Sequence, residues 1–220
     1  MAGKLHHEEL YRGLGAVAQL ADLSVVVCGV GALGSNLVDT LVRQGFQLLR
    51  IIDDDRVEEH NTSTQIFGLE DVGAFKADVL ANRAFRQMGI EIETVRKRLD
   101  DRNSKKLLKD ADLIIDTFDN SESRTAVQRR CRESKMACLH VGLFEGYGEV
   151  VWDSQYRVPN DVAGDVCDYP LARNLVTLVV SVAAEAVVRF ALDGETESHS
   201  ITLGDFAVLP LAAAAEITRE

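Results

Sequence analysis

The stretch SVVVCGVGALGS, residues 24–35, limits the architecture more than any other part of this chain. A short β-branched run that breaks into glycines reads as a buried strand turning sharply into a helix. Gly29, Gly31 and Gly34 stand in G-x-G-x-x-G spacing, with Ala32 and Leu33 between the last two. Glycines there let the chain turn tightly and let an anion approach the free N–H groups of the following helix, whose dipole favours negative charge. A second apolar run, QLLRII (47–52), ends at Asp53, 19 residues beyond Gly34. A carboxylate at that place accepts hydrogen bonds from ribose hydroxyls. The pattern predicts a nucleotide-binding corner and leaves NAD, FAD and ATP all open.

The remaining periodicity extends this corner into a fold. Leu5, Leu10, Leu14, Val17 and Leu20 recur at near-helical spacing, so one amphipathic helix is expected within residues 1–22. Helices are expected to about Gln44, over 72–88, over about 121–135 and over 174–192, and strands at IEIETV, LIIDT (113–117), ACLHVGLF and YGEVVWD. SHSITLGDFAVLPL suggests a closing hairpin. Strands alternating with helices predict an α/β, Rossmann-like wound and mostly parallel sheet, with antiparallel strands at the C-terminal end. Residues 1–220 read as a single domain in which 153–170 is a crossover loop. The run RKRLDDRNSKK (96–106) reads as a solvated connection.

Composition excludes some partners. A formal charge of −11 argues against a nucleic-acid backbone, which draws on clustered Lys and Arg. NLVTLVVSVAAEAVVRFAL is apolar enough to raise a membrane span, but Thr177, Ser181, Glu185 and Arg189 recur every four residues as a polar stripe. A core helix is therefore expected, and no membrane. The four cysteines form no C-x-x-C pair and the opening residues are polar. Both point to a reducing cytoplasm and to no zinc.

What lies beyond Asp53 separates ATP from NAD. DDDRVEEHNTSTQIF brings Asp55, Asn61 and Gln65 close to the second strand, GAFK adds Lys76, and IIDTFDN puts Asp116 and Asp119 at the end of the fourth strand. A lysine aimed at the glycine loop neutralises a triphosphate, and a carboxylate across the crevice holds magnesium. A dehydrogenase needs neither, so an NAD-dependent oxidoreductase is the lesser alternative. With these motifs in register, the chain resembles the ThiF/MoeB family of ubiquitin-activating-enzyme-like adenylyltransferases. GVGALGS resembles the family's glycine loop, DDDRVEEHNTSTQ its D-x-D-x-V-x-x-x-N-x-x-x-Q segment, GAFK its G-x-x-K, and DTFDNSESR its D-x-x-D-N-x-x-x-R. The resemblance implies MgATP as cofactor and, as partner, the Gly-Gly tail of a ubiquitin-like or sulfur-carrier protein, whose carboxylate is adenylated. It assigns ribose to Asp53, phosphates to Lys76 and magnesium to Asp119, places Asn61 and Gln65 in the phosphate-facing loop, and implies a homodimer or heterodimer.

The chain departs from this pattern at Thr64. The family usually has arginine there, as N-x-x-R-Q, and a guanidinium that would brace the phosphates is missing from the motif. Arg12, Arg83 and Arg86 are candidate substitutes, Arg12 across a dimer. The substitution also admits a non-catalytic, docking half of a heteromeric complex. Cys167 in AGDVCDYPLARN falls where relatives that pass the acyl group to sulfur place their reactive cysteine, and is read either as catalytic or as an ordinary loop thiol. Asp165 and Asp168 disfavour its thiolate and Arg173 favours it. His140, on an apolar strand, reads as a satisfied core histidine.

Overall fold

In the computed structural model, α1 (His6–Arg12) and α2 (Leu14–Asp22) lead into β1 (Ser24–Cys28), α3 (Ala32–Gln44), β2 (Leu48–Ile52), α4 (Lys76–Met88) and β3 (Glu93–Val95). Then come α5 (Ser104–Leu107), β4 (Leu113–Asp116), α6 (Ser121–Ser134), β5 (Ala137–Phe144), β6 (Tyr147–Trp152), α7 (Arg173–Asp193), β7 (His199–Thr202) and β8 (Ala207–Pro210). The structure describes residues 2–159 and 170–211.

All eight strands join one sheet in the order β3-β2-β1-β4-β5-β6-β7-β8. β3, β2, β1, β4 and β5 pair in parallel, and β6, β7 and β8 continue antiparallel. The central strands are apolar on both faces because both faces are covered. Val25 and Val27 of β1 join Leu49 and Ile51 of β2 and Leu113 and Ile115 of β4 in one core with α3, α4 and α7. Val26, Cys28, Ile52 and Ile114, pointing the other way, meet Ala126, Val127 and Cys131 of α6.

α7 carries the largest share of the first core. Leu175, Val176, Val179, Ala183, Val187 and Val188 are buried, each large aliphatic among them contributing about 1.5–3 kcal/mol. Among the described residues it is the one helix long and apolar enough to cross a membrane, and half of its apolar window is buried inside the fold. Thr177, Ser181 and Arg189 of the polar stripe face solvent.

Four expectations need correcting. The single opening helix is two helices broken at Gly13, whose φ of +89° lies where L-residues rarely go. α4 begins at Lys76 rather than 72, because the backbone before it is engaged elsewhere: Gly73 N–H donates to Val57 O, and Val57 N–H to Ala74 O. The strand at IEIETV keeps only three residues, at the sheet edge. The charged run 96–106 is no free connection: Leu99 and Ser104 are buried and α5 forms within it, anchored also by Leu107 and Leu108.

Candidate nucleotide site

The strand order reverses between β1 and β4, and ligands of open α/β sheets bind in the crevice at such a switch point. Backbone bonds hold the glycine loop between its neighbours: Gly29 N–H donates to Ile52 O and Thr117 N–H to Cys28 O, both at 2.9 Å. The Thr117 hydroxyl adds a bond to Gly29 O at 2.7 Å. The three glycines have different reasons to be glycine. Gly29 lies at φ +87°. A Cβ on Gly34 would sit 2.0 Å from Gly29 O and 2.6 Å from Thr117 Oγ1, so helix and strand pack backbone to backbone there. A Cβ on Gly31 would meet nothing within 4 Å. No neighbour in the fold excludes a Cβ at Gly31; the open space in front of α3, whose first turn holds Ala32 and Leu33, suits a ligand atom that must come close.

Asp53 is 7% exposed and ties β2 to this loop. Its Oδ2 accepts from Val30 N–H at 2.7 Å and its Oδ1 from Asp55 N–H at 2.8 Å. Burial pushes its carboxyl up to about 6, against the opposing pull of the Val30 N–H and of the Lys76 charge. Asp54 points to solvent. Asp55, also exposed, pairs with Lys76 Nζ at 2.9 Å, while its carbonyl accepts from Lys76 N–H. Asp55 therefore orients the lysine. Lys76 itself is 6% exposed at the first position of α4, where a cation opposes the helix dipole. A local rule broken by a buried charge is characteristic of a functional site.

The loop between β2 and α4 contains a 3-10 helix, Glu59–Ser63, which Asn61 organises. Its buried Oδ1 accepts from Glu58 N–H at 2.9 Å, and its carbonyl accepts from the N–H groups of Thr64 and Gln65. Asn61 thus shapes the loop from inside. The Oε1 of Gln65 is buried without a hydrogen-bond partner among the described residues, an acceptor left for something else to satisfy. Asp119 is exposed in the turn between β4 and α6. Asp116 faces inward and is fully buried: Oδ2 bonds His140 Nδ1 at 2.8 Å and Oδ1 accepts from Phe118 N–H at 3.1 Å. Cys167 lies outside the described residues.

Cys28, Cys131 and Cys138 are buried, and burial pushes the Cys28 and Cys138 thiols well up, which disfavours their thiolates. His140 is a core histidine with its partners in place. It is fully buried, stacked on Tyr156 at 3.8 Å between ring centres, and its Nε2 lies 3.3 Å from Asp153 Oδ1. Of the substitutes for the missing arginine, Arg12 bonds Glu8 and Glu185, both at 2.8 Å. Arg83 faces Asp39 at 3.7 Å, and Arg86 is exposed about 15 Å along α4 from Lys76.

Four contributors escaped the sequence reading. Thr117 locks the glycine loop, and Asn36 donates from α3 to Thr64 O at 2.9 Å. Arg173 Nη1 donates to the same carbonyl at 2.5 Å. Arg124, the last residue of DTFDNSESR, is buried between Tyr156 Oη (2.7 Å), Val141 O (3.0 Å) and Asp116 (3.7 Å). Only Arg124 carried a signal, its place in the motif; the others are set by contacts between distant segments.

A profile of the ThiF family matches residues 8–197, which includes every described element of this crevice. The chain belongs to the ThiF family. It is 30% identical over 166 residues to the ubiquitin-like modifier-activating enzyme 5 of Drosophila ananassae, covering 70% of this chain and 41% of that protein. It is 29% identical over 154 residues to the sulfur carrier protein ThiS adenylyltransferase of Bacillus subtilis, covering 67% of this chain and 46% of the relative. A third relative is the tRNA threonylcarbamoyladenosine dehydratase of Escherichia coli, 32% identical over 164 residues, with 73% and 59% covered. The chain thus spans roughly half the length of these ThiF-family relatives. Among solved structures, E. coli MccB with AMPCPP and MccA superposes with a TM-score of 0.81 at 14% identity, covering 96% of this chain and 71% of that one. The E. coli dehydratase TcdA in complex with ATP gives 0.74 at 19%, covering 87% and 94%. At such identities these two likenesses bear on the fold alone.

Proposed function

We propose that this chain binds MgATP in the crevice and adenylates the C-terminal glycine of a small ubiquitin-like or sulfur-carrier protein. The observation that carries this reading is the convergence on one opening of a buried Lys76, set against its own helix dipole, and the methyl-free face of Gly31. The relatives named as activating and adenylyltransferase enzymes support the same nucleotide.

In this reading Asp53 takes the ribose, and the phosphates lie over Gly31 against the N–H groups that open α3. Lys76 neutralises charge as it builds on the phosphates, already oriented by Asp55. Gln65 Oε1 is a further acceptor at the site. Asp119 would hold a magnesium ion accompanying the triphosphate, and the cation would offset phosphate charge. The partner's terminal carboxylate attacks the α-phosphorus. The bond to the bridging oxygen of the β-phosphate breaks, and pyrophosphate leaves with the electron pair. The acid anhydride that remains is the acyl-adenylate. No protein nucleophile is needed; positioning and charge neutralisation lower the barrier. Transfer from the adenylate to Cys167 is a second, separable step.

The exposed Leu10, Tyr11 and Leu14 on α1 and α2, each at least 70% exposed, support a dimer formed through the N-terminal helices. Intact-mass analysis of a Gly-Gly-tailed partner after incubation with enzyme and MgATP tests the adenylation. An AMP adduct on the terminal glycine is expected, and an unmodified partner that nevertheless binds would overturn it. Thr64 in the place of arginine favours one other reading, a docking subunit whose catalysis resides in a paralogous chain. Activity that appears only on adding that chain, or only in Thr64→Arg, would select it.

A further inference from the structure

We infer that Arg173 takes over in space the part that Thr64 leaves unfilled in sequence, bracing the outer phosphates of the nucleotide from the start of α7. The inference rests on the nucleotide reading above and adds a residue to it. Arg173 is the first residue of α7, about 110 positions from the motif it would complete, yet its Nη1 donates to Thr64 O at 2.5 Å. That carbonyl also accepts from Asn36 Nδ2 at 2.9 Å, and Asn36 in turn donates back to Ala32 O at 2.7 Å. Ala32 opens α3, so the guanidinium is tethered beside a residue about one helical turn, some 6 Å, from the phosphate end of that helix.

Three features suit Arg173 to this role. Its side chain is exposed and forms no ion pair among the described residues, unlike Arg12, which is engaged by two carboxylates. The Arg12–Glu185 pair is also about 18 Å further along α7, too far to serve the same phosphates from within one chain. Finally, Arg173 uses one of five N–H donors on a neutral carbonyl, and a charged phosphate oxygen makes a stronger, bidentate partner for the same fork. The Thr64 carbonyl is then a parking contact that holds the guanidinium ready.

The test is equilibrium binding of ATP and of AMP, each with magnesium, to the wild type, Arg173→Ala, Arg173→Lys, Lys76→Ala and the double variant Thr64→Arg/Arg173→Ala. Arg173→Ala is expected to weaken ATP about tenfold and AMP less than about twofold, since AMP lacks the outer phosphates. Arg173→Lys should recover part of the loss, and Thr64→Arg in the Arg173→Ala background most of it. If Lys76→Ala weakens ATP while Arg173→Ala leaves it unchanged, or lowers ATP and AMP equally, Arg173 is only a structural tie and the inference falls alone. If the wild type binds no ATP, or neither substitution alters its binding, the nucleotide reading falls and this inference with it. Unaltered thermal melting of Arg173→Ala separates lost contact from lost fold, and the Lys and Thr64→Arg variants decide the matter should it melt early.

Discussion

Gly31 and Gly34 are three residues apart in one motif, yet substitution should affect them in opposite ways. Gly34→Ala forces a methyl group into Gly29 O and Thr117, and overpacking of this kind costs about 1–3 kcal/mol or more, so its melting temperature should drop. Gly31→Ala has room for its methyl within the fold and should melt like the wild type while losing ATP affinity, because the methyl occupies the nucleotide's space. Isothermal titration beside a thermal melt separates the two. Asp53 offers a second test. Its carboxyl is raised from 3.8 to about 6, so the folded state holds the proton more tightly than the unfolded one. Its contribution to stability is greatest below the ordinary value and is lost as pH rises through about 6. Binding runs the other way, since a ribose hydroxyl donates best to the ionised form: ATP affinity should rise with pH up to about 6 and level off above it. Asp53→Asn should flatten that profile, and a wild-type profile already flat would remove Asp53 from the site. The glycine loop, Asp53 and Lys76 stood out in sequence because each belongs to a short motif: glycines at fixed spacing, acids after an apolar strand, a lysine three residues after Gly73. Arg173 and Asn36 were not, because their meaning lies in one shared carbonyl.

At the scale of elements, the alternation of β-branched runs with helical periods was enough to give a mostly parallel sheet ending in antiparallel strands, since strands covered on both faces read as continuous apolar stretches. Boundaries were less visible. Gly13 inside a regular apolar spacing does not announce a break, and Leu10 and Leu14, two members of that spacing, are exposed. The tie between β4, β5 and α6 was only half legible. His140 could be placed in the core, but its partners come from two other segments, Asp116 from β4 and Asp153 with Tyr156 from the stretch after β6. That tie is testable. His140→Ala removes the 2.8 Å partner of a fully buried Asp116 and should destabilise the fold by about 3 kcal/mol, read by chemical denaturation. An unaltered midpoint would mean that Arg124 and the Phe118 N–H suffice to hold that carboxylate.

For the whole molecule, the order of the strands brings residues from 29 to 173 into one crevice, and the proposed chemistry depends on that convergence more than on any single group. The exposed apolar surface of α1 and α2 leads us to expect a dimer by sedimentation, and Leu14→Glu should shift it toward monomer without loss of fold. Adenylation within this crevice can be read out by exchange of labelled pyrophosphate into ATP in the presence of a Gly-Gly-tailed carrier. Exchange is expected to require the carrier, to collapse in Lys76→Ala and to persist in Cys167→Ala, since adenylation precedes any transfer to sulfur. A folded wild-type protein that binds ATP and the carrier yet exchanges no pyrophosphate would contradict adenylation by this chain.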